Sequence, residues 1–174
     1  MNILFLTNHL DIGGVTSYCF TLAKGLKQRG HNVYIASSGG GMLFRFINEG
    51  INYIPIPIRT KQELSPKIIL CAFKLYHAAR KNNIDIVHSN SRTTQVLGSL
   101  LQRYAGLRHV YTCHGFFKRR LHRRIFPCWG QEIIAISEQV KENLVHDFGV
   151  REDRIRLIYN GIDIKNFKRN GLYD

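Results

Sequence analysis

An alternation limits the fold of this chain more than any other feature. Short, continuously apolar runs rich in β-branched and aromatic residues are each followed by a stretch with helical spacing, almost to the C-terminus. The runs with their exit loops are NILFLT, NVYIASS, INYIPIPI, DIVHSNS, HVYTCHG, QEIIAISE and RIRLIYNGID. Between them lie VTSYCFTLAKGLKQRG, GMLFRFINEG, SPKIILCAFKLYHAARKNN, TTQVLGSLLQRYAG and SEQVKENLVHDFG. Strands alternating with helices at this spacing make βαβ units and a parallel sheet. The runs are apolar throughout instead of at every second residue, so both faces of the sheet need cover. That condition describes a doubly wound, mostly parallel α/β sheet of Rossmann-like kind. The punctuation agrees: Gly30 and Gly50 close helices, Ser65 followed by Pro66 opens one, Ser137 caps another, and Pro55 and Pro57 confine the third strand to an edge.

In such sheets ligands bind beyond the carboxyl ends of the strands, where strand order reverses. The loops there are LTNHLDIGG, HSNSRTT, TCHGFF and AISE. Gly13 and Gly14 fit neither the G-x-G-x-x-G fingerprint nor a P-loop. They open the backbone amides of a helix N-terminus to an anion or a hydroxyl-rich ligand, or else they serve a tight turn that needs positive φ. His114, beside Gly115 and just after a strand, is positioned to hydrogen-bond a sugar hydroxyl and to titrate near physiological pH. His9, directly before the glycines, is expected to face the same cleft, whereas His88 reads as a satisfied core histidine. No Ser/His/Asp order or carboxylate pair suggests a hydrolase, Glu138 is accounted for by the helix dipole, and no Cys/His cluster has metal spacing. The four cysteines read as free thiols, and without a signal peptide or an apolar run of about 18 residues a cytoplasmic protein is expected.

The formal net charge is +13, and Arg92, Arg103, Arg108, Lys118, Arg119, Arg120, Arg123 and Arg124 follow one another with no acid among them. Such a segment projects a positive field toward phosphate-rich partners, unless it is simply a solvated helix face. Nucleic acid is not the expected partner, since no helix-turn-helix or RNA-binding signature accompanies the charge.

Taken in order, DIGGVTSYCFTLAKGLKQRGHNV, DIVHSNS, TCHG, IIAISEQVKENL and RLIYNGID resemble the N-terminal domain of family 4 glycosyltransferases, retaining enzymes of GT-B architecture. The resemblance covers nearly the whole chain. It implies an acceptor-side domain over residues 1–163 and, from 164 to 174, the start of a crossover to a C-terminal domain absent from this chain, without which the chain alone is expected to be inactive. It also implies a nucleotide-sugar donor, a glycan or lipid-linked acceptor, and transfer of a hexose with retention and no metal. Residue by residue, Gly13 and Gly14 would admit the acceptor or the donor phosphate. His114 would contact the transferred sugar, and Asn90, Ser91 and Ser137 would line the cleft. FFKRRLHRRIFPCW, with aromatics flanking Lys118, Arg119, Arg120, Arg123 and Arg124, fits a peripheral anchor on an anionic membrane surface. The alternative is a stand-alone, non-catalytic domain that binds a phosphorylated glycan or an anionic lipid.

Overall fold

The computed structural model describes residues 1–60, 62–63, 65–117 and 126–162. Seven strands form one sheet: β1 (Asn2–Leu6), β2 (Asn32–Ser37), β3 (Asn52–Pro55), β4 (Ile86–Ser89), β5 (Arg108–Cys113), β6 (Glu132–Ala135) and β7 (Ile155–Leu157). Their order is β3-β2-β1-β4-β5-β6-β7, and every pairing is parallel. β3 is an edge strand, as Pro55 at its end requires. The helices are α1 (Gly14–Gln28), α2 (Leu43–Asn48), α3 (Pro66–Lys81), α4 (Arg92–Ala105) and α5 (Glu138–Glu142).

Alternation along β1 divides the core. Leu4 and Leu6 turn to one face, where Ile68, Cys71 and Leu75 of α3 and Leu97 and Leu101 of α4 cover them. Ile3 and Phe5 turn to the other, against Cys19 and Ala23 of α1 and Phe46 of α2. A third cluster seats Tyr111 and Cys113 of β5 against Val140 and Leu144. Each large side chain so buried contributes about 1.5–3 kcal/mol, which explains why strands covered on both faces carry no polar alternation. All four cysteines are free thiols; burial raises the thiol of Cys19 and lifts that of Cys113 to about 11.

The helix boundaries follow local chemistry. Ser65 caps α3, its Oγ accepting from the Lys67 amide, with Pro66 in the first turn. Gly106 closes α4 at φ 68°. SEQVKENLVHDFG departs from a single helix: after α5 the chain widens into a π turn over Asn143–Asp147. There Asn143 Nδ2 donates to Asp147 Oδ2 at 2.6 Å while Asn143 Oδ1 accepts from the Phe117 amide at 3.1 Å. Asn143 thus ties the widened turn to the loop after β5. At Gly98, α4 lies so close to β5 that a Cβ would collide with the imidazole of His109.

Candidate functional site

Strand order reverses between β1 and β4, so the carboxyl ends of these two strands and of β5 frame the crevice. Asn8 leaves β1 and Asn90 leaves β4. The Oδ1 of Asn8 accepts from Thr93 Oγ1 at 2.5 Å and from Ser91 Oγ at 3.2 Å. Asn90 Nδ2 donates to the carbonyls of His88 (3.1 Å) and Leu6 (3.4 Å). With its amide nitrogen committed, Asn90 presents Oδ1 to His114 Nε2, 3.3 Å away. The His114 ring therefore donates from Nε2 and keeps Nδ1 as its acceptor. Tyr18 of α1 meets His114 edge-on, with ring centroids 4.7 Å apart. The Tyr18 hydroxyl lies 3.1 Å from Thr112 Oγ1, which in turn is 2.7 Å from His88 Nε2.

Burial lowers the pKa of His114 to about 4. The expected titration near physiological pH is thus corrected: a half-buried ring packed on Tyr18 is neutral at pH 7. His88 is pushed to about 3, by burial first and then by His114 and His109. His109 falls to about 4 by burial; its Nε2 lies 2.6 Å from Ser89 Oγ, and its Nδ1 is buried with no partner among the described residues. His88 is the satisfied core histidine that its position suggests, 5% exposed.

Gly13 precedes α1 at φ 170° and ψ 165°, extended backbone open to any residue, and Gly14 is the first helical residue. Neither serves a positive-φ turn, and a Cβ on either meets nothing within 4 Å. What the pair provides is open space over a helix N-terminus that no side chain caps and no acid occupies. A groove of about 910 Å3 runs from Gly14 and Ser17 along α1 past Tyr18 and Lys24, walled by Arg45 and Asn160. Tyr18 is common to this groove and to the His114 cluster.

The other residues singled out in the sequence fall in different places. Ser91 and Ser137 are helix N-caps, at α4 and α5, their hydroxyls accepting from the amides of Thr94 and Val140. Gly115 lies in the loop after β5, its carbonyl accepting from the Cys113 thiol. His9 is exposed, and its Nδ1 accepts from the Asp11 amide, which holds the ring over its own loop instead of joining it to His114. Lys118, Arg119, Arg120, Arg123 and Arg124 lie outside the described residues. Arg92 does not belong to a surface field. It is buried, with Nε on Glu63 Oε2 (3.0 Å), Nη1 on Gln95 Oε1 (2.7 Å) and Pro127 O (2.8 Å), Nη2 on Phe126 O (3.0 Å), and its guanidinium over Trp129. Sequence reasoning missed Tyr18, Asn8 and Thr112. Tyr18, one helical turn after Gly14, carried a usable signal; Thr112 carried none, because only strand pairing brings it to His88. Among the described residues no group of three or more His, Cys, Asp or Glu could hold a metal ion, and no helix is long and apolar enough to cross a membrane.

The same arrangement of elements recurs in solved structures. A glycosyltransferase from Rickettsia africae superposes with a TM-score of 0.82 at 24% identity, over 99% of this chain and 46% of that one. The Anabaena protein HepE, crystallised with UDP-glucose, superposes with a TM-score of 0.78 at 21% identity, over 98% of this chain and 47% of its own. By sequence, a subunit of human phosphatidylinositol N-acetylglucosaminyltransferase is 25% identical over 90% of this chain and 35% of its own length. An Escherichia coli UDP-Gal:alpha-D-GlcNAc-diphosphoundecaprenol alpha-1,3-galactosyltransferase is 26% identical over 73% of this chain and 36% of its own. The chain spans between 35 and 45% of the length of the curated relatives it matches. The model for Glycosyltransferase Family 4 matches residues 12–166, from the glycine turn past β7. A Rossmann-like sheet of the kind that forms one half of a GT-B enzyme, matched by this family over most of its length, makes the chain a member of glycosyltransferase family 4.

Proposed function

We propose that this chain is the acceptor-side half of a retaining hexosyltransferase that moves a sugar from a nucleotide-activated donor to a lipid-linked glycan. The observation that carries the reading is one juxtaposition. A neutral His114, fixed by Asn90 and Tyr18, stands at the same crevice as the uncapped, glycine-opened N-terminus of α1. A neutral imidazole held from two sides can orient a sugar hydroxyl, and a ring so hard to protonate has no imidazolium proton to give and is a weak base at pH 7, so its part is to align the transferred sugar. The open amides of α1 suit a phosphate or a hydroxyl-rich acceptor. Helix dipoles and basic side chains stabilise a departing diphosphate electrostatically, so the transfer needs no metal. Attack on the face the diphosphate leaves, with a donor phosphate oxygen taking the acceptor proton, gives retention. Two relatives are named for lipid-borne acceptors, a phosphatidylinositol and a diphosphoundecaprenol glycan. That supports a lipid-linked acceptor here and a working position at a membrane surface. The family favours this reading over a stand-alone binding domain.

The test is transfer by the full-length polypeptide from labelled UDP-glucose, UDP-galactose and UDP-N-acetylglucosamine to lipid-linked glycans, in the presence of a chelator. The new linkage is expected to keep the donor's anomeric configuration. His114→Ala is expected to lower kcat/KM by about 10²–10³, the range for losing one group that acts on the transition state. No transfer from any nucleotide sugar would overturn the proposal; an inverted linkage would overturn its stereochemical part.

A further inference from the structure

β4 and β5 carry two polar side chains into the core beneath α1. Thr112 is fully buried and His88 nearly so, its ring against Phe5 of β1 with centroids 4.9 Å apart. Strands covered on both faces favour Val, Ile or Leu at such positions, and a buried polar group costs free energy unless it is hydrogen-bonded. Here the polar atoms meet one another in series. His88 Nε2 lies 2.7 Å from Thr112 Oγ1, and Thr112 Oγ1 lies 3.1 Å from the Tyr18 hydroxyl. Thr112 is the joint: without its hydroxyl neither end keeps this contact.

What the series holds is an aromatic ring. Tyr18 is fixed to α1 at its Cβ and to Thr112 at its hydroxyl, so its plane cannot tilt freely. That ring meets His114 edge-on, with 76° between the planes and 4.7 Å between centroids, the arrangement aromatic pairs prefer. The bond from His114 Nε2 to Asn90 Oδ1 fixes one atom of the imidazole and leaves the ring plane to packing. The direction of Nδ1, the atom left to accept from a sugar hydroxyl, therefore traces back through Tyr18 and Thr112 to His88 and Phe5. His114 itself stands in a loop, whereas this brace is rooted in β1, β4, β5 and α1. Reactive groups are held more precisely from such packed elements than from loops.

We propose that Tyr18, Thr112 and His88 are positioning residues that set the plane of His114 for sugar transfer. This rests on the aligning role given to His114 in the reading above. The experiment compares the full-length wild type with Tyr18→Phe, Thr112→Val and Thr112→Ser in two ways. One is steady-state transfer; the other is modification of His114 by diethyl pyrocarbonate at pH 7, read residue by residue from fragment masses with the exposed His9 as reference. Tyr18→Phe and Thr112→Val are each expected to lower kcat about tenfold while KM for donor and acceptor stays within about twofold, because a misplaced ring loses alignment and not binding. The double variant is expected to lose no more than either alone, as members of one contact do. Thr112→Ser keeps the hydroxyl and is expected to restore kcat to within about twofold of wild type, a rescue that packing alone would not give. His114 is expected to be modified several-fold faster in Tyr18→Phe and Thr112→Val than in wild type and Thr112→Ser. Tyr18 is only half-buried, so Tyr18→Phe tests the brace even where an unpaired His88 destabilises Thr112→Val. Wild-type kcat in Tyr18→Phe, a Thr112→Ser as slow as Thr112→Val, or equal modification rates in all four proteins would each overturn the proposal. Absence of transfer by wild type would overturn the functional reading and with it the purpose of the brace. The modification rates need no turnover and decide by themselves whether Tyr18 and Thr112 hold the ring.

Discussion

Burial holds three imidazoles, those of His88, His109 and His114, well below their usual pKa, and this makes stability depend on pH. In the unfolded chain such rings take up a proton as pH falls through about 6.5. In the folded protein His109 does so only near 4 and His88 near 3. Between these limits the unfolded state binds more protons. Stability is therefore whole above about pH 6.5 and falls on acidification by up to about 1.4 kcal/mol per pH unit for each ring. Denaturant unfolding at pH 7.5, 6 and 5 is expected to trace that loss, and His109→Asn to flatten the slope by about one ring's worth. Gly14 offers a separate test. Its Cβ space is open and it starts a helix, so Gly14→Ala is expected to raise stability by a few tenths of a kcal/mol while weakening substrate binding. Unchanged KM values for donor and acceptor would return this glycine to a structural role. His114 and Asn90 were legible in the sequence because each directly follows a strand. The neutrality of His114 was not, since it depends on Tyr18 and on packing that no local pattern encodes.

Most elements were legible because their ends carry their own chemistry. The Ser65 and Ser137 caps, the Gly30 and Gly50 terminations and the proline-marked edge strand all act within a few residues of themselves. The π turn after α5 was not, because its Asn143 answers to Phe117, 26 residues away. Arg92 is the clearest case. As one cation in an acid-free stretch it reads as surface charge, yet in the fold it opens α4 from a buried position and joins the β3–α3 loop to the Phe126–Pro127 backbone. Arg92→Met removes one partner of a buried ion pair and is expected to cost about 3–5 kcal/mol. A urea midpoint within experimental error of wild type would show that the network is slack.

At the scale of the whole molecule the charge is lopsided, with twelve cations and one acid over residues 64–131. Reversing Arg119, Arg120, Arg123 and Arg124 to glutamate is expected to abolish binding to anionic vesicles, and raising salt to weaken wild-type binding progressively. Undiminished binding by the reversed variant would rule the segment out as an anchor. The parallel sheet itself has a temporal consequence. β1 is central, but one of its two neighbours is β4, with Ile3 opposite Ile86. On a ribosome adding roughly 5–20 residues per second, β1 and β2 can meet early, yet the other edge of β1 waits roughly 4–17 s for its partner to be synthesised. During that interval an apolar strand presents unpaired amides and carbonyls to solvent. The nascent chain is then a natural client for a holding chaperone, and it stays one until residue 89 has cleared the exit tunnel.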